Sequence, residues 1–243
     1  GHAAATGLQS ASLAARGFTS CEDILEAAQG FMDTQAASAS LDRFQQAMAT
    51  ESFTQDICFK YHAACYLTHS AIEATRALCA SNRFNPKNVV RIDIFVDKGH
   101  LRVCNIPEPR SGLEAKFSLR LTAAMAMSNL DTASITLFDD AITRDANLIA
   151  FRDRVHVHAH ETPQPETIVR VETADGKTFE EAVNVAIPLR DLDLQWHKLT
   201  DKVLTLASPI LGEDRAARVA ETCRQLDSIP SVRELTEQLR SAA

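Results

Sequence analysis

Val90, Ile92, Ile94 and Val96 alternate with Arg91, Asp93, Phe95 and Asp97. Successive side chains of a strand point to opposite faces, so this run predicts a half-buried strand with one apolar face to cover. Other runs offer it company. Lys98-Gly99 reads as a turn, and Leu101, Val103 and Ile106 suggest a partner strand beyond it. Val155 and Val157 mark a further strand. Ile168-Val169-Arg170-Val171 reads as one arm of a hairpin with Phe179 to Val185, turned at Ala174-Asp175-Gly176-Lys177.

Everything outside that middle region reads as helix. His2 to Ala15 is Ala-rich, with Gly17 as a stop, and predicts a helix packed closely through small residues. Ser20 with Asp23 signals a second helix, and a third covers about Leu41 to Ala49, beyond an Ala/Ser-rich stretch near residues 35–40. Ile72, Thr75, Leu78 and Cys79 define a helix ending near Asn85-Pro86. After a loop from Pro107 to Gly112, a helix is expected over Leu113 to Asn129, and another around Ala146 to Phe151. The tail is helical from Leu192, its last helix starting at Ser231 with Glu234 as capping partner. Helices, then mixed elements, then helices point to an α+β fold: a helical domain interrupted by an inserted α+β domain with a small antiparallel-type sheet. The expected boundaries are 1–57 for the partial helical domain, 58–190 for the insertion, and 191–243 for helices returning to the helical domain.

Chemistry concentrates at the entry to the insertion. A strand-like run, Ile57, Cys58 and Phe59, delivers Lys60, then His62 and His69, and then a helix that Thr68 or Ser70 could cap, with Glu73 completing a capping box from Ser70. A lysine, two imidazoles and the positive end of a helix suit a carboxylate ligand. The alternative is a buried lysine stem with capping or surface histidines. Lys116 and Arg120, four apart on the expected 113–129 helix, would share a face, as solvated charges or as an anion site. Cys65 between the two histidines reads as a buried thiol rather than a nucleophile. His156, His158 and His160 would lie on one side of a strand; with no partner ligand by motif, they read as a solvent-facing side and not as a metal site.

Neither a Gly-rich phosphate loop nor a G-x-S-x-G elbow occurs in the sequence. A formal net charge of −7 argues against a nucleic-acid or anionic-membrane surface, and no apolar run approaches the roughly 18 residues of a membrane span. Six scattered cysteines read as free thiols of a reducing compartment, so a cytoplasmic location is expected. No secretory signal opens the chain, which starts Gly1-His2-Ala3-Ala4 without Met, as a fragment or processed product would.

Four segments in order carry a resemblance. Gly1 to Leu8 with Leu13-Ala14-Ala15-Arg16-Gly17-Phe18-Thr19 is similar to the "G-x-A-A-x-x-G-L … L-A-A-x-G-F-T" segment of the MmgE/PrpD family, and Glu22 to Phe31 continues it. Lys60-Tyr61 through Thr68-His69-Ser70-Ala71-Ile72 resembles its "K-x-[YF] … T-H-x-A-I" block, and Glu114 to Leu119 its "E-A-x-F-S-L" block. The resemblance runs along the whole chain and implies the C-terminal portion of a metal- and cofactor-independent enzyme, usually a homodimer, acting on a small polycarboxylate. The family includes 2-methylcitrate dehydratase, a lyase of propionate metabolism, cis-aconitate decarboxylase and iminodisuccinate epimerase. The insertion would then be a lid domain over a cleft. Lys60 is the implied lid-side lysine of the substrate pocket and His69 the block's histidine, with His62 a further acid/base candidate. Thr68, Lys116 and Arg120 are candidate substrate contacts. The family's upstream acidic, Thr and His site residues have no counterpart here. Two departures bear on substrate choice: Leu121 stands where a pocket tyrosine is frequent, and His62-Ala63-Ala64 replaces a proline-containing sequence.

Overall fold

The computed structural model describes residues 1–36, 40–50, 56–81 and 83–240. The Ala/Ser-rich stretch near 35–40 lies partly outside them. Two units are described separately, Gly1–Gln55 and Asp56–Ala243.

In the first unit, α1 (His2–Ala14) ends before Gly17, whose φ of +88° is the left-handed turn expected of that stop. None of its residues is buried, in contrast to the close packing expected of its small residues. Residues 22–26 form turns instead of the helix read from Ser20. The chain doubles back there: Phe31 and Met32 donate to the carbonyls of Ile24 and Leu25, and a Cβ at Gly30 would sit 2.5 Å from the Ile24 oxygen. Short helices α2 (Phe31–Gln35) and α3 (Leu41–Thr50) follow.

The alternating run forms β1 (Val89–Val96), at the interior of a four-stranded sheet ordered β2-β1-β3-β4, with β2 Val155–Ala159, β3 Thr167–Thr173 and β4 Thr178–Val183. The hairpin is in the expected place, with Gly176 at φ +78° in its turn. β3 runs antiparallel to β1, but β2 runs parallel to it, so the sheet is mixed rather than of antiparallel type. A parallel pair needs a long crossover, here everything between Val96 and Val155. Both edges of β1 are therefore taken, and the expected partner strand is instead a helical turn, α5 (His100–Val103), started by Asp97 Oδ1 accepting from the Gly99 amide at 2.7 Å. A register shift between Val89 and Arg91 buries Val89 and exposes Val90, against the strict alternation.

One face of the sheet is covered by α4 (His69–Ala80) and α7 (Leu119–Met127). Ile92, Ile94, Val96, Val169 and Val171 pack there with Ala71, Leu78, Leu119 and Ala123, all at 0% exposure. The helix read over 113–129 is two: α6 (Gly112–Ala115) and α7, broken where Ser118 turns inward. Its hydroxyl donates to the Ile106 carbonyl at 2.7 Å and accepts from the Leu121 amide at 3.1 Å, capping α7. A second apolar cluster joins Leu121, Met125, Phe138 and Leu148, the last on α8 (Ala146–Arg152). The tail comprises α9 (Leu192–Leu211), α10 (Glu213–Arg224) and α11 (Arg233–Gln238), the last preceded by Ser231 accepting from the Arg233 amide. Among the described residues no helix is long and apolar enough to cross a membrane.

Candidate functional site

The segment from Ile57 to Lys60 is irregular, not a strand. Its sequence is apolar, but it joins no strand of the sheet; Cys58 meets the Ala186 carbonyl. The chain then dives inward at His62, 3% exposed. The capping box is not formed: Thr68 Oγ1 donates back to the Cys65 carbonyl at 2.8 Å, and Ser70, already inside α4, accepts from the Val185 amide at 3.2 Å. Glu73 is thereby free for a different partner. Its Oε1 lies 2.8 Å from His62 Nε2 and its Oε2 3.4 Å from Lys198 Nζ on α9. Hydrogen bonding to His62 is the main reason its carboxyl is held down at about 2, with Lys198 adding to it against the opposing effect of burial.

His62 has neither ring nitrogen to spare, because Nδ1 is 2.8 Å from Thr132 Oγ1. A carboxylate can only accept, so the Nε2–H of His62 donates to Glu73, while Thr132 Oγ1 pairs with Nδ1. His69 stands edge-on to it, ring centroids 4.8 Å apart. Burial first, then the neighbouring His62, pushes the His69 imidazole down to about 3, although a hydrogen bond to the Ala64 carbonyl favours its charged form. Its Nε2 has no partner among the described residues. Burial thus favours the uncharged form of His69 near neutral pH.

His62 also borders a cleft lined by lysines. This cleft, of about 460 Å³, is lined by Lys60, Lys116 and Lys202, with His62, Cys65, Leu113, Ile135 and Leu206 also in its lining. Lys60 is exposed, Lys116 and Lys202 half-buried. The Cys65 amide donates to the Lys116 carbonyl at 2.9 Å, which ties the histidine segment to the corner that ends α6. Lys116 Nζ lies 5.8 Å from the Phe138 ring centroid. Lys202 Nζ donates to the Lys60 carbonyl. Burial, then the Lys60 charge, lowers the Lys202 pKa. A second cleft of about 450 Å³, with Phe59, Tyr61, Val185 and Leu189 in its walls, reaches the Glu73–Lys198 pair from another direction.

The structure therefore brings together Lys60, His62 and Lys116. Thr68 is fully buried and serves its local turn. Arg120 donates to Asn105 Oδ1, away from the lysine cleft; with the helix broken at Ser118, it shares no helix face with Lys116. Lys198, Lys202 and Thr132 were missed by sequence reasoning. All three are remote from the Lys60–His69 segment in the chain and carry no local motif. Leu121, 1% exposed, fills core beside Ala64 and Phe138. Cys65 makes a thiol contact with Cys104, whose own thiol burial pushes up to about 12.

The three strand histidines are not gathered into a ligand set. His158 Nε2 bonds Asp93 Oδ1 at 2.7 Å, His160 Nε2 meets the Glu166 carbonyl at 2.8 Å, and His156 is exposed. Among the described residues, no group of three or more His, Cys, Asp or Glu is placed to hold a metal ion.

Compared with known proteins, the chain matches the model of the MmgE/PrpD C-terminal domain over residues 62–228. No curated protein matches it.

Proposed function

Because this chain belongs to the MmgE/PrpD family, we propose that it supplies the lysine-bearing side of a hydro-lyase site for a small polycarboxylate, of the 2-methylcitrate dehydratase type. The observation that carries this reading is the cleft on that domain, lined by Lys60, Lys116 and Lys202 with no carboxylate among its lining residues. Dehydration removes a proton α to a carboxylate while the hydroxyl on the adjacent carbon leaves as water, so one C–H and one C–O bond break and a C=C bond forms. Negative charge builds on the substrate carboxylate in between. Lys60 meets that charge as an ammonium in a half-enclosed cleft, where its attraction is stronger than in bulk water. His62, locked between Glu73 and Thr132, shapes the lining of the cleft instead of exchanging protons with substrate. Proton transfer then falls to groups that the family resemblance places upstream of Gly1. The division into 1–57, 58–190 and 191–243, a lid role for the middle segment, a homodimer and a cytoplasmic, propionate-linked setting belong to the same reading.

Lys60→Ala in the complete gene product is expected to lose most turnover of 2-methylcitrate, with its thermal transition unchanged. Near-normal activity would remove Lys60 from the site. A second reading, a divergent member that binds polycarboxylates without converting them, is favoured by Leu121 in the core at the frequent tyrosine position and by the uncharged His69. Assaying methylcitrate, citrate and cis-aconitate separates the readings. Elimination supports the first, decarboxylation or epimerisation moves the reaction within the family, and binding without turnover favours the second.

A further inference from the structure

Two of the six cysteines meet, and the backbone brings them together. The turn from Lys116 to Leu119, between α6 and α7, is bonded to a different segment at each end. The Cys65 amide donates to the Lys116 carbonyl at 2.9 Å, and the Leu119 amide donates to the Cys104 carbonyl at 2.9 Å. The Ile106 amide adds a bond to the Phe117 carbonyl at 3.2 Å. Cys65 and Cys104 thus belong to segments fixed on one short turn, both pack in the apolar cluster that covers the sheet, and their thiols touch. Their exposures differ. Cys65 is half-buried and lines the lysine-bearing cleft, so a small solute in the cleft can reach it. Cys104 is at 0% exposure, its S–H donating to the His100 carbonyl at 3.4 Å. The other cysteines lead elsewhere: Cys79 Sγ lies 3.5 Å from Met127 Sδ, Cys58 meets the Ala186 carbonyl, and Cys21 and Cys223 are exposed. A reachable thiol in contact with a sheltered one suits a pair in which the first is oxidised and the second resolves it.

We propose that Cys65 and Cys104 are a reversible redox pair: hydrogen peroxide entering the cleft oxidises Cys65, and Cys104 closes a disulfide with it. In the first step the Cys65 sulfur attacks one peroxide oxygen. The S–O bond forms, the O–O bond breaks, and the other oxygen leaves as water with the thiol proton. In the second step the Cys104 sulfur attacks the Cys65 sulfur. The S–S bond forms, the S–O bond breaks, and hydroxide leaves as water with the Cys104 proton. Two thiols thereby give two electrons to one peroxide, and a dithiol reductant returns them. Burial keeps Cys104 in its thiol form, its pKa pushed up to about 12, so the second step is the slower and the Cys65 sulfenic acid forms first. The pair is independent of the reaction assigned to the cleft.

To test it, the native chain is treated with hydrogen peroxide in dilute solution, its remaining thiols are alkylated, and unreduced tryptic peptides are weighed. Cleavage after Lys60, Arg76, Arg102 and Arg110 leaves Cys65 and Cys104 each alone on a separate peptide. The expected product is a linked pair of those peptides, two hydrogens lighter than their sum and separated by dithiothreitol. It should exceed any other disulfide of Cys65 on the order of tenfold, because groups held together outrun groups that must meet by diffusion. In urea, where the turn no longer holds the two segments, that preference is expected to fall away. Cys104→Ala should leave Cys65 as a sulfenic acid that dimedone labels, and Cys79→Ala should leave the linkage unchanged. Pairing of Cys65 chiefly with another cysteine, a Cys104 still open to alkylation after Cys65 is oxidised, or the same preference in urea would overturn the proposal. So would a Cys65 that stays reduced while Cys21 and Cys223 are oxidised.

Discussion

At His69 the acid response of the fold can be read from one ring. Its imidazole is held at about 3 in the folded chain against an ordinary 6.5, chiefly by burial. Between those values the unfolded chain takes up a proton that the folded chain refuses. The stabilising contribution is therefore fully present above pH 6.5 and is lost as pH falls toward 3. From 6.5 down to about pH 5 the loss is on the order of 2 kcal/mol. Urea midpoints measured over that range should fall steadily in wild type and much less in His69→Phe; parallel slopes would place the sensitivity elsewhere. Glu73 has the same sign in a lower window, from its ordinary 4.5 to about 2, so the two contributions separate by pH. Glu73→Gln removes the charge, keeps an acceptor for only one of His62 and Lys198, and should cost about 1.5–3 kcal/mol at neutral pH, seen as a lower urea midpoint with unchanged slope. Lys60 and His62 were legible in the sequence because they sit together before a helix. Thr132 and Lys202 were not, since a partner 70 or more positions away leaves no local spacing to read.

The break between α6 and α7 decides where Lys116 points. Local sequence favours one continuous helix from Leu113 to Asn129, and that is how the periodicity reads. The tertiary contact of Ser118 with the Ile106 carbonyl overrides it and leaves Lys116 at the end of α6, facing the cleft, while Arg120 turns to Asn105. Ser118→Ala should cost about 1–2 kcal/mol through the lost cap and the stranded Leu121 amide. Gly112, at the start of α6, is a stricter case. A Cβ there would lie 2.0 Å from the Phe138 carbonyl oxygen, which is backbone and cannot rotate away. Gly112→Ala is expected to destabilise by about 2 kcal/mol or more and, by shifting α6, to weaken tricarboxylate binding as well. A variant with wild-type melting temperature would show that the loop before α8 yields easily. The sheet divides along the same line. Its alternation and its hairpin are local, and both were legible. The parallel pairing of β1 with β2 depends on a crossover of more than fifty residues, and the bulge that exposes Val90 depends on β3.

For the molecule as a whole, the net charge and the cleft oppose each other. A net charge of −7 repels a trivalent anion at long range, while the lysines lining the cleft attract it at contact. Salt screens the two unequally. The Debye length is about 8 Å at 0.15 M and about 30 Å at 0.01 M, so distant carboxylates are felt mainly in dilute buffer, whereas ammonium–carboxylate contacts persist to higher salt. Raising NaCl from about 0.01 M should therefore first leave tricarboxylate affinity nearly level, as lost repulsion offsets weakened attraction, and then reduce it several-fold by about 0.5 M. A tricarboxylate affinity insensitive to salt across that range would mean that shape and apolar walls hold the ligand, and that the lysines only surround it.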